Sequence, residues 1–349
     1  MNPRPLSNPP NPWASSEVQY LEEIPPARLE VYEDHTREII AHNSSPDIGF
    51  DHSVNPYRGC QHACAYCYAR PPHEYLGLGA GTDFDTRIAV KIRAAELLRA
   101  AFDRPSWRGD LLMFSGVTDC YQPLEASYRL TRACLEVCAE YRNPVAIITK
   151  APLIERDLDV LLRLHDVTRL SVAVSIPLWD EARARAVEPL VATPARRMRT
   201  VERLAAAGLA VSVMVAPIIP GLSDEDVPRV LEAAKAAGAS RAGYVLLRLP
   251  GSVRPVFEER IRAAFPDRAD KILNRVRDTR SGALYDPRFG LRQRGEGVYA
   301  EVLAELFDKT ARRLGLLQGA DAEPELPSPA SVPSPFTRPE KPRRQLMLL

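Results

Sequence analysis

Short apolar runs alternate with amphipathic stretches through the middle of the chain. Five runs are rich in β-branched residues and apolar at consecutive positions, which is typical of strands covered on both faces. These runs occupy residues 111–114, 145–149, 170–176, 209–219 and 242–247, and a sixth precedes them at 49–54. The pattern therefore predicts six strands of a largely parallel sheet.

The segments between these runs carry apolar residues at spacings of three and four, which predicts helices over 126–140, 153–165, 195–207 and 224–237. Gly208 is expected to cap the third helix, and Ser223 with Asp226 forms a loose capping box for the fourth. Repeated strand–helix units favour a doubly wound sheet or a barrel. Six units predict an α/β fold with a partial (β/α)6 TIM-like barrel.

Proline content separates both ends from this pattern. We predict a partly disordered N-terminal extension over 1–44, the barrel over 45–250, a helical or irregular C-terminal cap over 251–317, and a disordered Pro-rich tail over 318–349. The tail ends in a basic patch and an apolar run, which we interpret as solvated rather than as a docking peptide: Arg338, Lys341, Arg343, Arg344 and Leu346–Leu349.

Composition excludes several classes of protein. The 349 residues are 45% hydrophobic and 26% charged, as in ordinary globular proteins. No run approaches the roughly 20 apolar residues of a membrane span, and the first residues lack the pattern of a secretory signal. We therefore expect a cytoplasmic protein with no membrane contact. The formal net charge of +1 indicates no strong nucleic-acid footprint, and nothing indicates the oligomeric state.

Three cysteines form a C-x3-C-x2-C array on the loop after the first predicted strand: Cys60, Cys64 and Cys67. Thiolates select iron–sulfur clusters or zinc. A four-iron cluster ordinarily takes four cysteines, so three leave one iron open for a substrate. The alternatives are a zinc site completed by His62 or His52 and three unliganded structural thiols.

The array Cys60-x3-Cys64-x-Tyr66-Cys67 resembles the signature of the radical S-adenosylmethionine (SAM) superfamily, and its context resembles the spore photoproduct lyase-like branch over residues 45–315. The resemblance implies that the three cysteines hold a [4Fe–4S] cluster whose fourth iron binds SAM. It further implies reductive cleavage of SAM to a 5′-deoxyadenosyl radical, which abstracts hydrogen from the substrate.

The resemblance also implies SAM contacts at the strand ends, where chemistry collects in such folds. Lys150 is expected to meet the carboxylate and Ser175 the methionyl portion. Thr118 and Asp119 are expected to take the ribose hydroxyls, and Tyr66 to pack on the adenine. Ordinary loop polarity is the alternative for each, and for Asp119 this means an Asx turn.

Two further residues are candidate catalytic groups by the same resemblance. Cys120 is a candidate hydrogen-atom donor and Tyr68 a candidate member of a hydrogen relay, with plain packing as the alternative for both. The tract at 215–221 resembles the strand that backs the adenine, with its two prolines ending the strand. Cys134 and Cys138 are predicted to be buried small hydrophobes.

The remaining signal is an arginine-rich segment of the cap. Its five arginines are expected either to close the barrel mouth and grip an anionic substrate or to form a solvated extension: Arg275, Arg277, Arg280, Arg288 and Arg292. Next to the cysteine loop, His73 and Glu74 belong to a stretch whose sequence is more specific than a simple connector requires.

The sequence thus predicts a lyase-like radical SAM enzyme with a reducing partner such as flavodoxin or ferredoxin. Its substrate is unknown, with nucleic-acid photoproduct repair a candidate by kinship and modification of a protein or small molecule its rival. The alternative class is a non-catalytic iron–sulfur or zinc protein for electron transfer or structure.

Overall fold

The computed structural model describes residues 8–13, 28–317 and 333–340. Among them are ten strands: β1 (Glu30–Glu33), β2 (Ile40–His42), β3 (His52–Val54), β4 (Tyr57–Arg58), β5 (Arg87–Val90), β6 (Leu112–Phe114), β7 (Val145–Thr149), β8 (Leu170–Ser175), β9 (Val211–Ile218) and β10 (Arg241–Leu246).

The same residues form twelve α-helices: α1 (Thr82–Thr86), α2 (Ala94–Asp103), α3 (Glu125–Tyr128), α4 (Leu130–Glu140), α5 (Leu158–Val167), α6 (Glu181–Val187), α7 (Pro194–Ala206), α8 (Val227–Ala236), α9 (Val253–Ala264), α10 (Ala269–Asp278), α11 (Leu291–Arg294) and α12 (Val298–Arg313). Three 3-10 helices cover Pro71–Leu76, Pro152–Asp157 and Asp224–Asp226. No helix in these described ranges is long and apolar enough to span a bilayer.

Seven strands form one sheet in the order β10-β9-β8-β7-β6-β3-β2. Every pair is parallel except β2 with β3. The six parallel strands are the six that the apolar runs predict, so the α/β fold with a TIM-like run of parallel strands is confirmed. A second sheet, β1-β5-β4, carries the cysteine loop at one end.

The apolar runs are buried because helices cover the sheet. Val145, Ile147, Val172, Val211 and Val213 are each at most 1% exposed and belong to one core. This core also takes the apolar faces of α2, α4, α5, α7 and α8. Since the parallel strands all point the same way, their carboxyl ends lie along one edge, which we call the mouth.

Local details differ from the sequence predictions. The predicted helix over 126–140 is broken at Arg129, whose φ of 54° separates α3 from α4. Ser223 makes no cap hydrogen bond, because its hydroxyl accepts from the amide of Ile219 instead. Pro217 lies inside β9 rather than ending it.

Part of the predicted tail belongs to the fold. Phe336 packs against Phe102 and Tyr141, with ring centroids 5.7 and 6.1 Å apart. Arg338 donates hydrogen bonds of 2.7–2.9 Å to three carbonyls at the end of α2. The expectation that all of 318–349 lies outside the fold is therefore wrong for residues 333–340.

Other expectations about the ends lie outside the described residues. They concern 1–7, 14–27, 318–332 and 341–349, including the basic patch from Lys341 onward. Two strands lie within the predicted N-terminal extension: β1 belongs to the small sheet and β2 to the large sheet.

A bridging segment (residues 290–294) connects the two ends of the large sheet. Asp47, in the connection from β2 to β3, pairs with Arg292. The backbone carbonyl of Asp47 accepts a 2.5 Å hydrogen bond from the side chain of Gln293. At the other end of the sheet, Arg280 donates to the carbonyl of Leu291 in this segment at 2.5 Å. It also donates to the carbonyl of Leu247, just beyond β10, at 2.8 Å.

Candidate functional site

The cysteine loop runs from β4 into the 3-10 helix and is a series of tight turns. Backbone amides of Ala63 and Cys67 donate to the carbonyls of Cys60 and Cys64, each at 3.3 Å. Gly59 begins the loop with a φ of 80°, and a Cβ there would lie 2.9 Å from a backbone carbonyl. Glycine is needed at this position because an L side chain is strained at that φ and would clash.

Arg70 holds the loop from inside and is fully buried. Its guanidinium donates to the carbonyls of Cys64, Ala80 and Gly81 at 2.7–3.2 Å and pairs with Asp85 at 2.9 Å. A planar group with five donors suits such a crowded set of acceptors. The backbone around the cysteines is thereby fixed.

A pair of glutamines fixes the loop to the segment after β6. Gln122 accepts from the amide of Gln61 at 3.0 Å and donates to the carbonyl of Gly59 at 3.1 Å. In return, the side chain of Gln61 accepts from the amide of Leu124 at 3.0 Å. The cysteine loop and the mouth of the sheet are therefore one connected unit.

Cys60, Cys64 and Cys67 are free thiols on this framework. Burial is the main cause that raises the pKa of all three, and the other thiols of the array raise the pKa of Cys60 and Cys64 further. Deprotonating them together costs free energy unless a cationic group neutralises the charge. Three such desolvated, unpaired thiols on a rigid loop fit a cationic metal cluster.

The described residues contain no group of three His, Cys, Asp or Glu side chains arranged around one metal ion. Sulfurs that each bind a different iron do not have to converge on a single point.

Asp119, which follows β6, lies at the centre of a dense set of donors. Thr149 and the amide of Tyr121 donate to Oδ1 at 2.7 and 2.9 Å. The amide of Lys150 donates to Oδ2 at 2.8 Å, and His62 lies 3.4 Å from it. Burial acts to raise the pKa of Asp119, but the charge of His62 and these donors hold it at about 2. The Asx turn is present, through Tyr121.

Lys150 follows β7 and projects toward the cysteine loop. Its Nζ lies 5.8 Å from the ring centroid of Tyr66, and its charge lowers the pKa of Cys64 and Cys67 against the larger effect of burial. No carboxylate of the described residues lies within 4.0 Å of this ammonium. Lys150 is thus a cation with an open partner position.

Tyr66 belongs to a buried network behind Lys150. Its hydroxyl donates to Glu188, which pairs with Arg197 at 2.6 Å. Arg197 also donates to the carbonyl of Ser175 at 2.8 Å. Burial acts to raise the pKa of Glu188, yet Arg197 and Lys150 hold it below its usual value. The carboxylate of Glu188 therefore stays ionised and fixes the ring of Tyr66.

The hydroxyls of Thr118 and Ser175 already have partners. Thr118 donates to the carbonyl of Tyr57 at 3.0 Å, and Ser175 donates to that of Ala216 at 2.9 Å. Each hydroxyl oxygen retains lone pairs, so toward a ligand each side chain can only accept a hydrogen bond.

Tyr68 extends across the mouth. Its hydroxyl donates to the carbonyl of Gly116, beyond β6, at 2.9 Å. Arg248, beyond β10 at the far end of the sheet, lies 5.8 Å from the centroid of its ring. Burial of the hydroxyl end and the neighbouring Cys67 raise the pKa of Tyr68 to about 12. Tyr68 therefore remains a protonated donor near neutral pH.

Cys120 lies in the main core, fully buried among apolar residues. Its amide donates to Ser115 and its carbonyl accepts from Thr131 on α4. This environment is that of a packed core residue, and hydrogen donation by Cys120 stays a prediction. Cys134 and Cys138 are buried in the same core.

Four residues that fix this site were not singled out from the sequence: Arg70, Gln122, Glu188 and Arg197. Arg70 lies three positions after Cys67. A charged residue so close to the cysteine array could have been identified from the sequence as a support for the loop. Glu188 and Arg197 lie at the end of α6 and in α7, and no local pattern distinguishes them from surface charges.

Three comparisons place the chain among known proteins. Two relatives are uncharacterized proteins. One, from Mycobacterium tuberculosis, is 40% identical over 222 residues, which is 63% of this chain and 65% of that protein. The other, from Methanocaldococcus jannaschii, is 28% identical over 176 residues, 50% of this chain and 63% of that protein. The matches thus span just under two thirds of either relative.

Among solved structures, spore photoproduct lyase with bound AdoMet and dinucleoside spore photoproduct is similar, with a TM-score of 0.52 at 16% identity. That match covers 81% of this chain and 77% of the lyase, and it shows a shared fold. The model of the radical SAM superfamily matches residues 54–234, more than half of the chain. The family match takes in the cysteine loop and the strands β6 to β9, and the protein belongs to the radical SAM superfamily.

Proposed function

We propose that this protein is a radical SAM enzyme that abstracts a hydrogen atom from its substrate. The family implies a [4Fe–4S] cluster and SAM. The observation that carries the proposal is the loop of three free thiols, two buried and one half-buried, beside an ammonium without a carboxylate partner among the described residues. Cys60, Cys64 and Cys67 would hold the cluster.

When bound there and reduced, such a cluster supplies the electron that splits SAM into methionine and a 5′-deoxyadenosyl radical, which takes a hydrogen atom from the substrate. The protein's contribution is placement and exclusion of water. Arg70 and Gln122 provide the placement, because they fix the cysteine loop through buried hydrogen bonds.

Lys150 binds the carboxylate of SAM in this proposal. Its position at a strand end, near Cys64 and Cys67, supports the role, as does its open partner position. Asp119 acts as a positioning residue, since four donors already use its carboxylate and one of them is the amide of Lys150.

The remaining contacts to SAM in this proposal depend on which hydrogen-bonding atoms of the side chains are still without a partner. Ser175 has its proton committed, so it accepts from the ammonium of SAM, and Thr118 accepts from a ribose hydroxyl. Tyr66, held by Glu188, offers a fixed ring face for the adenine. Tyr68 is the group best placed to meet the substrate, because its half-exposed ring crosses the mouth.

The lyase reaction and the nucleic-acid substrate stay predictions. A fold shared at 16% identity does not transfer the substrate of spore photoproduct lyase to this chain. The reductant, such as flavodoxin or ferredoxin, also stays a prediction.

Anaerobic reconstitution with iron and sulfide, followed by dithionite and SAM, tests the proposal. We expect the broad absorbance of a [4Fe–4S] cluster and release of 5′-deoxyadenosine. A protein that binds a cluster but never forms deoxyadenosine is an electron carrier, and one that binds zinc alone is structural. Either result contradicts the proposal.

A further inference from the structure

Two arginines lie together at the carboxyl end of β10. Arg248 follows the strand by two positions, and Arg280 donates a 2.8 Å hydrogen bond to the carbonyl of Leu247, the residue just before Arg248. Arg280 is therefore hydrogen-bonded to the backbone directly beside Arg248, whose charge acts to lower the pKa of Arg280. In the described ranges, no Asp or Glu oxygen lies within 4.0 Å of either group.

Other arginines of the cap are different, because carboxylates neutralise them. Arg275 pairs with Asp278 at 3.1 Å, Arg288 pairs with Asp286 and Glu296 at 2.5 Å each, and Arg292 pairs with Asp47. Of the five arginines expected to grip an anion, these three are therefore already paired. Arg277 donates to Asn274 at the exposed surface.

Both side chains of the pair are withdrawn from solvent to some degree, since Arg280 is buried and Arg248 is half-buried. Arg280 is 2% exposed, and the Nε atoms of both Arg248 and Arg280 are buried without a hydrogen-bond partner in the structure. Burial lowers the pKa of Arg280 to about 10, against the attraction of Asp286. A buried cation beside a half-buried one, each with an unused donor, is costly unless an anion neutralises the charge.

The location of this pair is significant. The guanidinium of Arg248 lies 5.8 Å from the ring centroid of Tyr68, which directly follows Cys67. An anion bound by Arg248 would therefore lie at the mouth, beside the cysteine loop and within the space that Tyr68 crosses.

We propose that Arg248, backed by Arg280, binds one compact oxyanion of the substrate, a phosphate or a carboxylate group. The proposal rests on the proposed function, since it names the substrate class of that same mouth. Arg248 contacts the anion, and Arg280 adds its charge while its two Nη atoms hold Leu247 and Leu291.

A polynucleotide fits this site less well than a small anionic molecule. Binding a nucleic-acid backbone takes several unpaired cations along a groove. Here the three neighbouring arginines named above are paired, and the chain as a whole carries a net charge of only +1. The substrate we infer is thus a small molecule with a single anionic group at one end.

Calorimetric titration of the full-length, cluster-reconstituted protein tests this inference, with inorganic phosphate and succinate as probes. We expect one of the two to bind, and Arg248→Gln to raise its Kd at least about tenfold, which is about 1.4 kcal/mol. Arg248→Lys is expected to recover part of the affinity, because it keeps the charge and loses the fork of donors. Arg277→Gln, which changes an arginine bonded to Asn274 at the exposed surface, is the matched control and is expected to leave binding unchanged.

Three results would overturn the inference. They are no binding of either anion up to about 10 mM, equal binding by Arg248→Gln and the parent protein, or tighter binding of a short single-stranded oligonucleotide with a steep salt dependence. Anion binding requires neither SAM nor reductant. Deoxyadenosine formation without anion binding therefore refutes only this inference, and anion binding without deoxyadenosine refutes only the proposed function.

Discussion

The carboxylate of Asp119 accepts a 2.8 Å hydrogen bond from the backbone amide of Lys150 and so connects the loops that follow β6 and β7. His62 of the cysteine loop lies 3.4 Å from the same oxygen. A single buried carboxylate thus links the three segments from which the site is built.

Asp119→Asn is expected to lower the free energy of unfolding by about 2 kcal/mol at pH 7, because the pKa of Asp119 is about 2 in the folded protein, below its usual value. A depressed pKa stabilises the fold above about pH 4, and this contribution is lost as the pH falls toward 2. Urea unfolding measures it, with the exposed Asp267→Asn as control. An Asp119→Asn variant as stable as that control would contradict the assigned role.

Lys150→Ala is expected to weaken SAM binding about ten- to a hundredfold, since it removes a charge-assisted hydrogen bond to a carboxylate. Equilibrium binding to the reconstituted protein measures the change, and the cluster absorbance should stay at the level of the parent. The exposed Lys271→Ala provides the control. Unchanged affinity in Lys150→Ala would exclude this lysine as the SAM ligand.

Replacing any one of Cys60, Cys64 and Cys67 by alanine should abolish the cluster absorbance, because each thiolate is expected to bind a different iron. Cys134→Ala is a stringent control, because Cys134 is a fully buried thiol on the core-facing side of α4, outside the cysteine loop. Iron content and absorbance after reconstitution give the answer. Equal loss in all four variants would mean that the defect is one of folding, and the assignment would fail.

His73 gives the protein a dependence on mildly acidic pH. Burial lowers the pKa of this 3% exposed histidine to about 4. Between about pH 6.5 and 4 the unfolded chain takes up a proton that the folded chain does not, so stability falls with falling pH, by up to about 3 kcal/mol. In His73→Gln this slope should flatten.

Urea unfolding of the cluster-free chain across that range measures the slope for His73→Gln and for a control, His35→Gln, whose side chain is 82% exposed in the parent. The control should follow the parent. Parallel profiles for all three proteins would show that His73 does not carry the effect.

Arg338→Gln should lower the free energy of unfolding by about 2 kcal/mol, because Arg338 satisfies the carbonyls of Phe102, Arg104 and Trp107. Thermal unfolding measures the loss, with the exposed Arg199→Gln as control. If both variants melt together, the three hydrogen bonds of Arg338 add nothing to stability.

Most of the large sheet was predictable because burial on both faces leaves a direct signal. A strand such as β7 is apolar at nearly every position, and the polar residues of the adjoining loops mark where it begins and ends. The strands of the small sheet lack this signal, since β1 is exposed throughout and β4 has two residues. Pairing with β5, which is distant in sequence from β1, determines them instead.

The cysteine array was predictable for a different reason, because its ligands are close in sequence. The supporting groups come from far apart, as Tyr66 and Glu188 are 122 positions from each other. Their proximity depends on the packing of α6 beside the loop, which no local pattern encodes. The prediction for the tail was wrong for a similar reason. Proline predicts an extended chain but does not indicate whether that chain packs on the rest of the fold, and Phe336 packs against Phe102 and Tyr141.

The bridging segment has a consequence for how the substrate range of this fold can change. Residues 290–294 join the outermost strands through side-chain and carbonyl contacts, such as those of Asp47 and Arg280, rather than through a continuous strand ladder. An insertion or a replacement in this stretch shifts no strand register elsewhere. The connection between the two edges of the sheet can therefore change during evolution or engineering without altering the backbone contacts that fix the cysteine loop.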